Sequence, residues 1–299
     1  MNRKALSIID APSDLGLRRT GVSGLPDALR AAGLLEGLED VRYSGRLSVP
    51  PYISLRDPPT GVLNPDGIRA FSLRLAERVA SVLDLGRFPL VLGGDCSILL
   101  GAMLALRRRG RFGLFFIDGH ADFYSPESEP NGEVASMDLA VVTGRDPAVL
   151  ANLEGRRPLA REEDVVVFGF RDADSAAVYR SPDVRDTAMH VFDLGEVRRL
   201  GPAEAARQGV AALEASPLEG YWVHLDADVL NDEVMPAVDY RMPNGLEADE
   251  VAEALGTVLA SPLVVGMEVT IYNPALDDRE RSAARLLART VTRAFSIAT

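Results

Sequence analysis

The sequence predicts a parallel α/β fold in one domain, residues 1–299. Short apolar runs alternate along the chain with amphipathic or Ala-rich stretches, the order in which a parallel sheet is wound. Most runs are continuously apolar, as expected of strands buried on both faces. Residues with chemistry collect just beyond the ends of those runs, where open α/β sheets bind ligands.

The first run, Ala5–Ile9, follows the basic start Met1-Asn2-Arg3-Lys4 and is cut short by Asp10. It reads as a strand rather than the apolar core of a signal peptide. A weak strand at Val41–Tyr43 precedes Gly45–Pro65, a loop rich in proline and polar residues. Asp66–Leu85 places Ile68, Phe71, Leu75, Val79 and Val82 on one helical face, with Gly86 as a stop. The strand Pro89–Leu92 runs into Gly93-Gly94-Asp95-Cys96, and a helix is expected over Ser97–Arg109. Its three closing arginines suit the negative end of a helix dipole. The strand Gly113–Ile117 ends in Asp118-Gly119-His120-Ala121-Asp122, followed by the polar loop Ser125–Val134. Further strands are expected at Val165–Gly169, His190–Asp193, Tyr221–Leu225 and Val264–Val269, and helices at Pro202–Glu214, Ala248–Leu259 and Asp278–Ile297. No repeat, low-complexity linker or composition break divides the chain.

The totals exclude several classes. A formal charge of −12 leaves no basic excess for nucleic acid. One cysteine excludes an internal disulfide framework and fits a reducing, cytoplasmic setting. No run is long enough to span a bilayer.

Alternate residues of an extended strand point to the same side, so Asp118, His120 and Asp122 can converge on one point. Asp226 and Asp228 repeat the pattern after Tyr221–Leu225. Carboxylates packed this way need a cation to neutralise them. Oxygen and imidazole ligands suit manganese, magnesium or zinc, and two ions with a shared carboxylate are a common way to activate water. Other notable residues have plainer readings. Arg107-Arg108-Arg109 is a solvated helix end, His190 is packed or superficial, and Trp222, Phe115 and Phe116 are core aromatics.

These motifs resemble the ureohydrolase superfamily of arginase, agmatinase, guanidinobutyrase and formimidoylglutamase, over nearly the whole chain. Gly21-Val22 through Pro26 with Leu29-Arg30 resembles the N-terminal signature, and Gly93-Gly94-Asp95 resembles Gly-Gly-Asp-His. Asp118-Gly119-His120-Ala121-Asp122 resembles Asp-Ala-His-x-Asp, and His224-Leu225-Asp226-Ala227-Asp228 resembles Ser-x-Asp-x-Asp. Met267-Glu268-Val269 resembles the late Glu-Val motif. The resemblance implies a three-layer α/β/α fold on an eight-stranded parallel sheet and a homo-oligomer, trimer or hexamer. It implies two divalent ions, manganese by default, and attack of a metal-bridging hydroxide on a guanidino or formimino carbon, releasing urea or formamide. The implied substrate is a small cationic guanidino-type compound.

By position, Asp118 and Asp226 would bridge the ions. His120 and Asp228 would complete one, Asp122 and Cys96 the other. Asp122 also counts as a catalytic carboxylate. Glu268 would grip the guanidinium through paired hydrogen bonds, and Asp174 would meet the far end of the substrate. Three departures stand out. Cys96 replaces a histidine ligand; a thiolate favours zinc or iron, and the start of a helix would lower its pKa. Asn131–Met137 lacks the proton-relaying histidine of that loop, leaving Glu133 as the candidate shuttle. Asn231-Asp232 stands where Asp-Pro is usual, which alters a turn. His224 replaces a serine, pointing away from Asp226 on a regular strand or toward an outer contact on an irregular one. A second reading is a non-catalytic relative that binds a metal or small cation as a partner subunit. Retention of six acidic or imidazole site residues weighs against it.

Overall fold

A computed structural model describes residues 5–298, so the basic start at 1–4 lies outside the described residues. Eight strands, β1 (Leu6–Asp10), β2 (Val41–Arg46), β3 (Phe88–Leu92), β4 (Gly113–Ile117), β5 (Val165–Phe168), β6 (His190–Phe192), β7 (Tyr221–Asp226) and β8 (Val264–Thr270), form one parallel sheet. Their order is β2-β1-β3-β8-β7-β4-β5-β6. All eight expected strands are present, with ends moved by at most a few residues.

The central strands are buried along their whole length, which is why their sequences do not alternate. Helices α1 (Leu25–Ala31), α2 (Pro65–Asp84), α3 (Leu99–Arg107), α4 (Asp138–Val142), α5 (Ala148–Ala151), α6 (Ala173–Val178), α7 (Leu194–Leu200), α8 (Pro202–Glu214), α9 (Ala248–Leu259) and α10 (Ser282–Ile297) surround it. Two cores result. Ile8, Leu90, Phe115, Val223 and Met267 face one side with residues of α8, α9 and α10. Ile9, Val91, Leu114, Phe116 and Trp222 face the other with α2 and α3. The three-layer α/β/α expectation therefore holds.

Two expected helices are shorter than the sequence suggested. The stretch after Asp95 begins as a 3-10 turn, Cys96–Ile98, before α3. The last helix starts at Ser282 rather than Asp278, because Asp277 and Asp278 are spent as caps. Asp278 Oδ1 accepts from the Ser282 amide, while Asp277 accepts from Ala283 and Ala284. The short helices α1, α4, α5, α6 and α7 were not anticipated; at four to seven residues they hold too little periodicity to stand out. Among the described residues no helix is long and apolar enough to cross a membrane.

Candidate metal centre

β4 and β7 are hydrogen-bonded neighbours, with Ile117 opposite Leu225, so both carboxylate motifs leave the sheet side by side. Each first aspartate folds its own loop back. Asp118 Oδ1 accepts from the His120 amide at 2.6 Å, and Asp226 Oδ1 accepts from the Asp228 amide at 2.7 Å. The loops are then tied together, since Asp228 Oδ1 accepts from the Gly119 amide at 3.1 Å. A side chain at Gly119 would lie 2.5 Å from the Asp228 carbonyl oxygen. The rim also needs Gly94, where a Cβ would come within 1.8 Å of the Ser13 carbonyl oxygen. Asp95 pins this segment by accepting from the Ser97 and Gly16 amides.

Among the described residues two ligand sets emerge, each with its ligand atoms within 4.8 Å of one another: Cys96, Asp118, His224 and Asp226, and Asp118, His120 and Asp228. Asp118 belongs to both. Cys96 Sγ lies 2.9 Å from Asp226 Oδ2, and His120 Nδ1 lies 3.0 Å from Asp228 Oδ2. Asp118 Oδ2, His224 Nε2, Glu268 Oε2 and both oxygens of Asp138 are buried without a hydrogen-bond partner. Groups orphaned in this way carry a large desolvation cost unless a cation serves them. Of these, Asp118 and His224 belong to the ligand sets, whose donors therefore fit divalent metal ions.

Burial sets the electrostatics. It pushes the Asp118 carboxyl up to about 6, helped by the Asp228 charge. Burial and then neighbouring carboxylates, led by Asp118 for Asp122 and by Asp228 for Asp226, push both of those groups well above the usual range. Burial alone would lower His120, but Asp228 and then Asp118 outweigh it and hold the imidazole at about 10. Burial would likewise raise Asp228, yet the facing His120 charge keeps it below its ordinary value. So many buried carboxylates within one shell is the field a cation would relieve.

A cavity of about 490 Å³ opens onto this cluster and is lined by Cys96, His120, Asp122, Asp226 and Asp228. Its outer wall includes Asp172, Asp239, Tyr240, Arg241 and Ile271.

The family model described as "Arginase family" matches residues 4–296. The chain belongs to the arginase family. It is 31% identical to the arginase of Bacillus caldovelox over 291 residues, 95% of this chain and 96% of that one. It is 30% identical to the arginase of Staphylococcus aureus (strain COL) over 292 residues, 95% of each chain. The solved Bacillus caldovelox arginase superposes with a TM-score of 0.87 over 98% of both chains. The formimidoylglutamase of Bacillus subtilis shares the fold, with a TM-score of 0.75 at 18% identity, over 98% of this chain and 87% of that one.

Against the pattern expected of this family, the structure places several residues differently. Glu268 does not line the cavity. It is fully buried beside His224, its partner across β7 and β8, with its Oε1 2.8 Å from His224 Nδ1. It cannot reach a guanidinium there, and Ile271, three residues on, occupies the cavity wall instead. His224 points into the site beside Asp226, because strand residues two apart share a face. Glu133 also stays out of the cavity. Its Oε1 accepts from the Arg18 amide at 2.9 Å and its Oε2 from the Tyr240 hydroxyl, so it braces the wall rather than facing a substrate. Asp174 is exposed and outside the lining, whereas Asp172 is inside it, accepting from the Ala121 amide with one oxygen and leaving the other unpartnered. Asp122 lines the cavity but falls outside both compact ligand sets. The Cys96 thiol is not lowered by its place at the turn. Burial, then Asp226 and other carboxylates, push it well above the usual thiol range.

Arg171 went unassigned in the sequence. Its guanidinium donates to the carbonyls of Asp228, Leu230 and Met242 at 3.0, 3.2 and 2.9 Å, and so holds the loop that carries Asp228. Only long-range contacts reveal this role.

Proposed function

We propose that the chain is a metal-dependent hydrolase cleaving the C–N bond of a small linear amidine, either a guanidino compound to urea and an amine or a formimino compound to formamide and an amine. The observation that carries the reading is the sharing of buried Asp118 by two ligand sets whose Cys96, His120, Asp226 and Asp228 line one cavity. Cys96, Asp118, His120, Asp226 and Asp228 would hold two divalent ions. When bound, such ions activate water as a nucleophile at neutral pH and stabilise developing negative charge.

The chain's own residues do the rest. Asp122 lines the cavity and, once bound cations offset the carboxylates around it, would take a proton from the attacking water and return it to the departing nitrogen. With Glu268 held against His224, the wall carboxylates Glu129, Asp172 and Asp239 would meet a cationic amidinium. Arg171 keeps the Asp228 loop in register. One domain with one such centre per chain completes the proposal.

The test is release of urea or formamide by metal-loaded protein from arginine, agmatine, guanidinobutyrate and formimidoylglutamate. Turnover of at least one supports the reading. No product from any of them with manganese, zinc or ferrous ion contradicts it.

A further inference from the structure

We propose that His224 is a metal ligand, supplying an imidazole through Nε2 beside the Cys96 thiol, with Glu268 as its positioning carboxylate. The inference rests on the metal-centre reading above and deepens it.

Four observations lead there. His224 and Asp226 share one face of β7, so the ring enters the site with the carboxylate. Its Nδ1 is engaged by Glu268 Oε1 at 2.8 Å, while Nε2 has no hydrogen-bond partner and faces Asp118 Oδ2 at 3.7 Å. That separation is too long for a hydrogen bond. It suits two donor atoms straddling an ion with bonds of about 2.0–2.2 Å. A carboxylate holding one ring nitrogen while the other binds metal is the usual way to fix the tautomer and aim of a ligating histidine. Finally, the ring lies flat on Phe116, with centroids 4.5 Å apart and planes 7° apart, which leaves it little freedom to turn away.

The consequence is a centre with two unlike halves. Cys96, His224, Asp118 and Asp226 make a four-donor set with one sulfur, one nitrogen and two carboxylates, the softer pocket suited to zinc, cobalt or ferrous ion. Asp118, His120 and Asp228 make a harder one. A histidine kept as a buried cation between Asp118 and Glu268 would fill the first pocket without metal, and the experiment separates the two cases.

The chain has three histidines, so their ring nitrogens can be followed one by one in protein labelled at histidine. The full-length protein is loaded with NMR-active cadmium, and the resonance moved downfield by the Cys96 thiolate is tested for scalar coupling to a ring nitrogen. The expected result is coupling to one imidazole, lost in His224→Gln while the coupling of His120 to the other cadmium persists. Glu268→Gln should weaken cadmium affinity of the thiolate site about 10–100-fold. A thiolate-shifted resonance with no imidazole coupling in the wild-type chain overturns the proposal and leaves the metal-centre reading intact. Absence of any cadmium at Cys96 overturns both. The wild-type spectrum decides the matter even if the variants fold poorly.

Discussion

His224 Nδ1 lies 2.8 Å from Glu268 Oε1, and both side chains are completely buried. On the proposed reading, the pair makes this strand-end glutamate a support for the ligand shell rather than a substrate contact. Glu268→Gln should therefore weaken metal binding about 10–100-fold and leave the KM of a metal-saturated enzyme within about twofold. Metal titration and steady-state kinetics on one preparation check this. A large rise in KM at full metal loading would restore Glu268 as the guanidinium contact.

The metal-free protein should lose stability as pH rises. Asp118 is raised from 3.8 to about 6, so the folded state binds more protons than the unfolded, and this contribution disappears as pH climbs from about 4 through 6. His120, raised from 6.5 to about 10, acts in the same sense: its contribution is full below about 6.5 and is lost as pH rises through about 10. Thermal melts of metal-free protein should thus give a higher Tm near pH 5 than near pH 8. Saturating divalent metal should reverse the trend, since protons compete with metal for the same ligands.

Cys96 should be a poor nucleophile without metal. It is 1% exposed, and burial together with the carboxylates beside it, led by Asp226, keeps the thiol protonated. Alkylation of folded, metal-free protein at pH 8 should be at least ~10-fold slower than that of unfolded chain. Alkylation at the rate of a free thiol would show that the site is more open than described.

Arg171→Lys should cost about 1–3 kcal/mol of stability, because an ammonium cannot serve the several carbonyls spanned by the guanidinium fork. Metal affinity should fall with it as the Asp228 loop loosens. Denaturant unfolding and metal titration report the two effects separately.

Legibility in the sequence followed the range of the interactions. The eight strands are read from continuous apolar runs, and Asp118, His120, Asp226 and Asp228 from alternate polar residues just beyond them, both being local patterns. His224 was equally local. The rule that aligns Asp118 with His120 also aligns His224 with Asp226, and applying it there would have brought the ring into the site. Glu268 is near the centre in the motif, but its cross-strand pairing with His224, whose Nδ1 it meets at 2.8 Å, is a long-range contact that the motif does not report. Glu133 and Arg171 act through partners on distant segments, Tyr240 for one and the carbonyls after β7 for the other, and no spacing in the sequence reports those contacts.

The most direct test of the central claim is metal content per chain by elemental mass spectrometry, on protein purified without chelator and then equilibrated with manganese and zinc. The account predicts close to two ions per chain, falling to about one in Asp228→Asn, which removes a ligand from one set alone, with the ion at Cys96 retained. One ion or fewer per wild-type chain under saturating metal would contradict it.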